Sequence, residues 1–252
     1  MTTDAEVARL ARRLTEAYWG GEPTSASGFA DLAIEGGYAV QRAFVSARVD
    51  SEGPVVGYKL GFTNETVRRE FGVPEPIYGR LLAATVDVEW VETASLIAPR
   101  AEPEIVLRLG ERVPAGAPLE AVERAVAGVR PAIEVVDTRT GSWDVAPGLA
   151  VADNALAARL VTGPERTPAG TGPLTDVTVE LSAPDGDRTG RGTAVLGNPI
   201  EAVAWLSRAV DTPLEPGTLI STGSLTGTAP LEPGEPLSAS FSGLGDVSLR
   251  PG

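Results

Sequence analysis

The chain of 252 residues carries a formal net charge of −13, 34 acidic against 21 basic residues, which argues against nucleic acid or an anionic membrane surface as its partner. It contains neither cysteine nor histidine, excluding disulfides, Cys–His and Ser-His-Asp machinery and the usual zinc ligand sets. Any metal must then be held by oxygen, which selects a hard cation such as Mg²⁺ or Mn²⁺, and acid–base work falls to carboxylates, tyrosines, a lysine or metal-bound water.

In chain order, DAEVARLARRLTEAY (4–18) places Val7, Leu10, Leu14 and Ala17 at helical spacing, with Asp4 as its expected cap. Residues 30–49 predict a second helix, interrupted at Gly36-Gly37. VVGYKLG (55–61) predicts a short strand, and Asn64 caps a helix over ETVRREF that ends at Gly72. From about residue 85 the texture turns to β-like runs broken by Gly and Pro, with expected strands at 103–109, 132–137, 174–182, 218–222 and 236–249. The last contains a hairpin turn near Gly243-Leu244-Gly245. Asn198 and Pro199 open one helix among them, IEAVAWLSRAV. The fold class expected is α+β: a helix-rich N-terminal part (1–84) and a β-rich body (85–252) forming one functional unit. Segments 110–118 and 163–173 are loops too short to be domain linkers, and there is no internal repeat. No apolar run is long enough to cross a membrane, and the N-terminus lacks the apolar core of a secretory signal, so a cytoplasmic address is expected.

Three stretches could carry chemistry. In EPEIVLRL (102–109), strand alternation puts Glu102 and Glu104 on one face and Ile105, Leu107 and Leu109 on the other. Glu134 interrupts the apolar run PAIEVV, where an unpaired carboxylate would be costly. One divalent cation would satisfy all three acids; alternatively Glu102 and Glu104 form a solvated strand face and Glu134 pairs with an arginine. The second stretch holds Lys59, the only lysine: every other basic residue is arginine. Lysine can exchange protons when burial or a nearby cation lowers its pKa, whereas arginine stays charged. Its flanks Val55, Val56, Tyr58 and Leu60 weigh against a purely surface role; the alternative is chance survival of one lysine on a surface turn. The third, STGSLTG (221–227), offers hydroxyls and backbone N–H groups that suit an anion or simply form a turn. Asp153 and Asn154 of VADN read as turn or capping residues.

Taken together, YAVQ (38–41), GYKLGFT (57–63), FGVPEPIYGRL (71–81), EPEIVLRLG (102–110), RPAIEVVDTR (130–139), VADNA (151–155), GTAVLGNPIEAVAWL (192–206), TGSLTG (222–227) and GLGDVSLR (243–250) resemble the 2-keto-4-pentenoate hydratase and 4-oxalocrotonate decarboxylase family, in the fumarylacetoacetate hydrolase superfamily. They follow family order over nearly the whole chain. The resemblance implies a mixed, rolled β-sheet with helices supplied largely by the N-terminal part. It also implies Mg²⁺ or Mn²⁺ held by Glu102, Glu104 and Glu134, with Lys59 in the active site. The implied substrates are 2-oxo or 2-hydroxydienoic acids, small molecules that chelate the cation through carboxylate and 2-oxo oxygens. A homo-oligomer, with association to a family relative, is part of the same expectation.

Three departures shape the reading. Family hydratases carry Asp where this chain has Ile77, and an apolar residue there favours decarboxylation by excluding water. The family's ADNASS-type segment is here ADNALA, with Leu156 and Ala157 replacing hydroxyls; Arg159 is the candidate substitute anion contact, beside Thr222 and Ser224. Without histidine, the Glu–His-assisted C–C hydrolysis of other superfamily members is not supported. The resulting expectation is a metal-dependent lyase, decarboxylating a 4-oxalocrotonate-like acid. A hydratase or enol–keto tautomerase on a related, biosynthetic 2-oxo acid is the alternative, as is a non-catalytic stabilising subunit, against which the full set of three glutamates and Lys59 argues.

Overall fold

The computed structural model describes residues 2–88 and 90–252. Its first part alternates helices α1 (Asp4–Gly20), α2 (Ile34–Ser46), α3 (Val49–Glu52) and α4 (Glu65–Phe71) with strands β1 (Val55–Gly61) and β2 (Ile77–Leu82). Strands β3 (Arg100–Leu109), β4 (Val126–Val136), β5 (Ala157–Thr162), β6 (Thr178–Ser182) and β7 (Arg188–Arg191) follow, with helices α5 (Leu119–Ala125) and α6 (Pro147–Ala152) between them. Helix α7 (Pro199–Ala209) then precedes β8 (Leu219–Ser224), β9 (Ala229–Pro230), β10 (Leu237–Phe241) and β11 (Gly245–Leu249).

The strands form two sheets. The larger is mixed, in the order β2-β1-β8-β3-β4-β5 with β9 also paired to β3; only β1 and β8 run parallel among its described strand pairs. The smaller has the order β11-β10-β6-β7. The α+β class and the mixed sheet match the expectation, while β1 and β2 from the first 84 residues hydrogen-bond directly into the sheet of the later strands.

Alternation decides which side of the large sheet is core. Leu60, Ile105, Leu107, Ile133 and Val135 enter the main apolar cluster, together with Val203 and Leu206 of α7 and residues of the smaller sheet. Leu10, Leu14, Val40, Phe44 and Leu149 of α1, α2 and α6 form a second cluster that includes Ile77 and Ala155, and Leu81, Val106, Ala132 and Leu160 form a third on the other face of the sheet. That second face carries Lys59, Glu104 and Glu134.

Several expected boundaries shift. Thr3 caps α1 by accepting from the Glu6 N–H, and Asp4 is the first helical residue. α2 runs unbroken through Gly36-Gly37: a Cβ on Gly37 would lie 2.5 Å from the Gly148 carbonyl, so this glycine admits α6 and does not break the helix. The 174–182 run keeps only its second half as β6, since residues 174–176 form a 3₁₀ turn after Pro173. β3 and β4 start earlier than expected and tolerate internal prolines. Pro103 falls where β3 exchanges β9 for β8 as neighbour, and Pro131 falls just outside the pairing of β4 with β5.

The segment after α6 approaches β2 closely. A Cβ on Gly79 would lie 2.2 Å from the Asn154 carbonyl. Gly79→Ala is therefore expected to destabilise the protein by about 1–3 kcal/mol through overpacking against backbone. Gly20→Ala, which would meet nothing within 4 Å at the end of α1, should be neutral or stabilising. Urea unfolding of the two variants checks the contrast; equal midpoints would contradict it.

Candidate active site

Four neighbouring strands of the large sheet bring the acids and the lysine together. Glu102 on β3 is directly opposite Glu134 on β4, Glu104 is level with Ser224 on β8, and Lys59 on β1 is level with Ser221. Cross-strand partners share a face, so the four ionisable groups converge. The three carboxylates offer oxygens that all lie within 4.8 Å of one another. Lys59 Nζ lies 3.1 Å from Glu134 Oε2 and donates to the Ala155 carbonyl at 2.9 Å. The lysine approaches Glu134 as an ion pair outside hydrogen-bond alignment, and both Glu134 oxygens lack a donor.

Glu104 is anchored on one side only. Its Oε2 accepts from the Ser221 hydroxyl at 2.5 Å and from the Gly223 N–H at 2.9 Å, while Oε1 has no partner. Relative exposures of 9% for Glu102, 1% for Glu134 and 0% for Glu104 make Glu102 the acid nearest the opening. Burial pushes the Glu102 carboxyl up to about 7, with the Glu104 charge acting in the same direction and Lys59 opposing it. Burial likewise raises Glu134 well above the carboxylate range against the pull of Lys59. Burial alone would lower Lys59, but the surrounding carboxylates more than offset it and hold the ammonium above its ordinary value.

One cation against three crowded carboxylates leaves uncompensated negative charge and orphaned oxygens aimed at the same point. Unpaired buried acceptors of this kind cost several kcal/mol unless a cation takes them. An all-oxygen donor set fits a hard divalent cation, so these residues suit Mg²⁺ or Mn²⁺.

The cluster opens on a cavity of about 600 Å³. Lys59, Glu102 and Ser224 stand on its polar side, and Ile77, Val145 and Leu156 on its apolar side. Phe62, Val67 and Phe71 of the β1–α4 region also line it. Leu156 belongs to a segment in which Asn154, Ala155 and Leu156 all adopt left-handed backbone angles, with φ of 56°, 51° and 64°. Asn154 holds it by accepting from the Arg80 N–H at 2.7 Å and donating to the Arg80 carbonyl at 2.9 Å. The buried Arg139 guanidinium clamps the residue just before the segment, bonding both the side chain and the carbonyl of Asp153, and reaches the Ala157 carbonyl just after it at 3.5 Å.

Two expected contacts are not made. Arg159 does not line the cavity: a bulge in β5 places it opposite Val135, out of phase with Glu134, and its guanidinium donates to the Tyr18 hydroxyl at 3.0 Å. Thr222 is one residue out of phase with Ser221, so its hydroxyl turns away and donates to the Ile105 carbonyl at 2.9 Å. Glu134 pairs with Lys59, not with an arginine. Ser221 and Gly223 are anchors that the sequence reading did not single out; the signal was the alternation of β8, which a turn-like reading of STGSLTG hid.

The sequence profile of the fumarylacetoacetate (FAA) hydrolase C-terminal region matches residues 81–250. The chain belongs to the fumarylacetoacetate hydrolase family. Within it, a 2-keto-4-pentenoate hydratase of Burkholderia vietnamiensis is 36% identical over 98% of both chains. A 4-oxalocrotonate decarboxylase of a Pseudomonas species is 34% identical over 97% of both. The structure of 4-oxalocrotonate decarboxylase from Pseudomonas putida G7, complexed with magnesium and adipate, superposes with a TM-score of 0.92 at 29% identity, covering 100% of this chain and 99% of that one. The relatives' names are those of lyases, the class of enzyme expected from the sequence. No helix among the described residues is long and apolar enough to cross a membrane.

The chain is expected to bind one Mn²⁺, and Glu104→Gln should weaken binding by more than the ~10–100-fold that outer-shell changes cost. Because that substitution removes one of three crowded charges, the metal-free variant should unfold at or above the temperature of metal-free wild type. Calorimetric titration combined with thermal unfolding reads both; undiminished Mn²⁺ affinity in the variant would exclude Glu104 as a ligand.

Proposed function

We propose that this protein is a divalent-metal-dependent lyase that decarboxylates a 4-oxalocrotonate-like 2-oxo acid through a dienolate. The observation that carries the reading is the convergence of Glu102, Glu104, Glu134 and Lys59, with orphaned carboxylate oxygens, at the end of a cavity walled by Ile77 and Leu156. In this reading Glu102, Glu104 and Glu134 hold Mg²⁺ or Mn²⁺. The bound cation would supply Lewis acidity to the carboxylate and 2-oxo oxygens of such a substrate.

The chain's own residues supply the rest. The Lys59 ammonium has three N–H donors; the Ala155 carbonyl takes one and the Glu134 side occupies another direction. The third is left to meet negative charge developing on the 2-oxygen, in a buried setting where such a contact is strong. When the bond to the distal carboxylate breaks, its electron pair moves through the conjugated chain to the 2-oxygen and CO₂ leaves. The Lys59 ammonium holds the resulting dienolate oxygen, and a proton from solvent then gives the 2-hydroxydienoate. Ile77 and Leu156 offer methyl groups where added water would need a polar partner, and a dry wall favours loss of a desolvated carboxylate.

Hydration of a 2-hydroxydienoate is the second reading, favoured by the hydratase names of relatives such as the Burkholderia vietnamiensis protein. It passes through the same dienolate and differs in needing water positioned at the wall that Ile77 occupies.

Two experiments test the proposal. Lys59→Arg keeps the charge but not the compact ammonium, and turnover should fall by at least ~10²-fold with metal affinity retained, in the range for lost acid–base or electrostatic groups; near-normal turnover would make the lysine incidental. Incubation with 2-oxo-hex-3-enedioate and with 2-hydroxypenta-2,4-dienoate in Mg²⁺, following CO₂ and the 4-hydroxy-2-oxo acid separately, should give CO₂ and little hydration. Ile77→Asp should reduce CO₂ release by repelling the distal carboxylate. Efficient hydration without CO₂ would replace the decarboxylase reading with the second one.

A further inference from the structure

The cavity contains a cation that the reaction above does not use. Arg100 stands two residues before Glu102 on β3, so alternation turns both side chains to the same side with Cα atoms about 6.5 Å apart. Lys59 and Arg100 are the only cationic residues among the described cavity-lining residues. Arg100 makes no ion pair with any described residue. Its guanidinium lies 4.5 Å from the centroid of the Trp143 ring, and Trp143 is itself fixed by an Nε1–H bond to the Ala98 carbonyl at 3.1 Å. The side chain's one described hydrogen bond is a long contact of 3.4 Å from Nη1 to Thr228 Oγ1. A guanidinium carries five N–H donors, so with the Trp143 ring against it most of its edge is left without a described protein partner. A stacked arginine with a free edge is the geometry that takes a carboxylate in a bidentate grip.

We propose that Arg100, stacked on Trp143, is a specificity-determining anchor for a second carboxylate, so that the cavity selects dicarboxylic over monocarboxylic 2-oxo acids. The inference rests on the 2-oxo acid lyase reading and assigns to Arg100 the anion contact that Arg159, turned to Tyr18, does not make. The contact acts in recruitment. Pairing with a guanidinium stabilises a carboxylate in the ground state, so its loss raises KM for a dicarboxylic substrate without a matching fall in kcat.

The test uses unreactive probes on the Mg²⁺-loaded protein. Adipate carries two carboxylates, and pyruvate has the 2-oxo acid end alone. Calorimetric titration of wild type, Arg100→Gln and Arg100→Lys should show adipate affinity at least ~10-fold lower in Arg100→Gln, the effect of losing a charge-assisted hydrogen bond. Arg100→Lys should recover part of it. Pyruvate affinity should stay within about twofold throughout, and this also confirms that the variants are folded. Equal weakening of both probes, or unchanged adipate binding, would overturn the anchor. Wild type that binds pyruvate but not adipate would also overturn it while leaving the 2-oxo acid reading intact. Binding of neither probe would remove that reading, and the anchor with it.

Discussion

Lys59 and Glu134 meet 3.1 Å apart at almost complete burial, and much of the molecule is arranged around the charge this pair leaves unbalanced. Had the site held only the two of them, it would be an ordinary buried ion pair, whose desolvation offsets most of its attraction. Two further carboxylates, Glu102 and Glu104, face the same point, and burial drives Glu102 and Glu134 toward protonation while Lys59 opposes it. Fold stability alone gives no reason to crowd such groups in one place. A hard cation makes the arrangement favourable, and the orphaned oxygens of Glu104 and Glu134 are where it would bind.

The lysine's aim depends on a second unfavourable element. Left-handed backbone at three successive non-glycine residues costs of order 1–3 kcal/mol for each and persists only when its surroundings over-determine it. Here the pair of hydrogen bonds between Asn154 and the Arg80 backbone fixes the first residue, and Arg139 holds the flanking residues Asp153 and Ala157. The result is an Ala155 carbonyl turned onto Lys59 and a Leu156 side chain turned into the cavity. Strain in this segment therefore goes into orienting one ammonium group and drying one wall.

How much of this the sequence disclosed depends on the distance over which each signal acts. The E-P-E pattern was legible because alternation within one strand is local, and Glu134 stood out because an acid in an apolar run has few inexpensive explanations. Lys59 stood out by composition. Arg159 misled because a single bulge in β5 shifts its phase by one residue, and nothing in AARLVT marks that bulge. Thr222 and Ser221 differ by the same single step, which is fixed only by the pairing of β8 with β3. Short elements such as β2, α5 and α6 were missed because their burial is decided by distant partners: Gly148 of α6 meets Gly37 of α2, 111 positions earlier in the numbering. Arg100 was readable in principle, in phase with Glu102, but its significance depends on Trp143 arriving from another segment.

The division of labour between segments bears on how such a lyase settles on one reaction. The acids and the lysine project from three strands of one sheet, β1, β3 and β4, where a change of phase in any of them would scatter the cluster. The groups that line the rest of the cavity come from elsewhere: Ile77 from edge strand β2, Leu156 from the strained segment, Trp143 from the stretch before α6. Hydration and decarboxylation share a dienolate and so place the same demands on the cluster. They differ in whether water or a second carboxylate is accommodated at the far wall. In this architecture the wall can change while the sheet that holds the cluster stays the same. On the reading proposed here, a substitution such as Asp for Ile77 would act on partition between products, whereas one at Glu104 would act on whether any product forms.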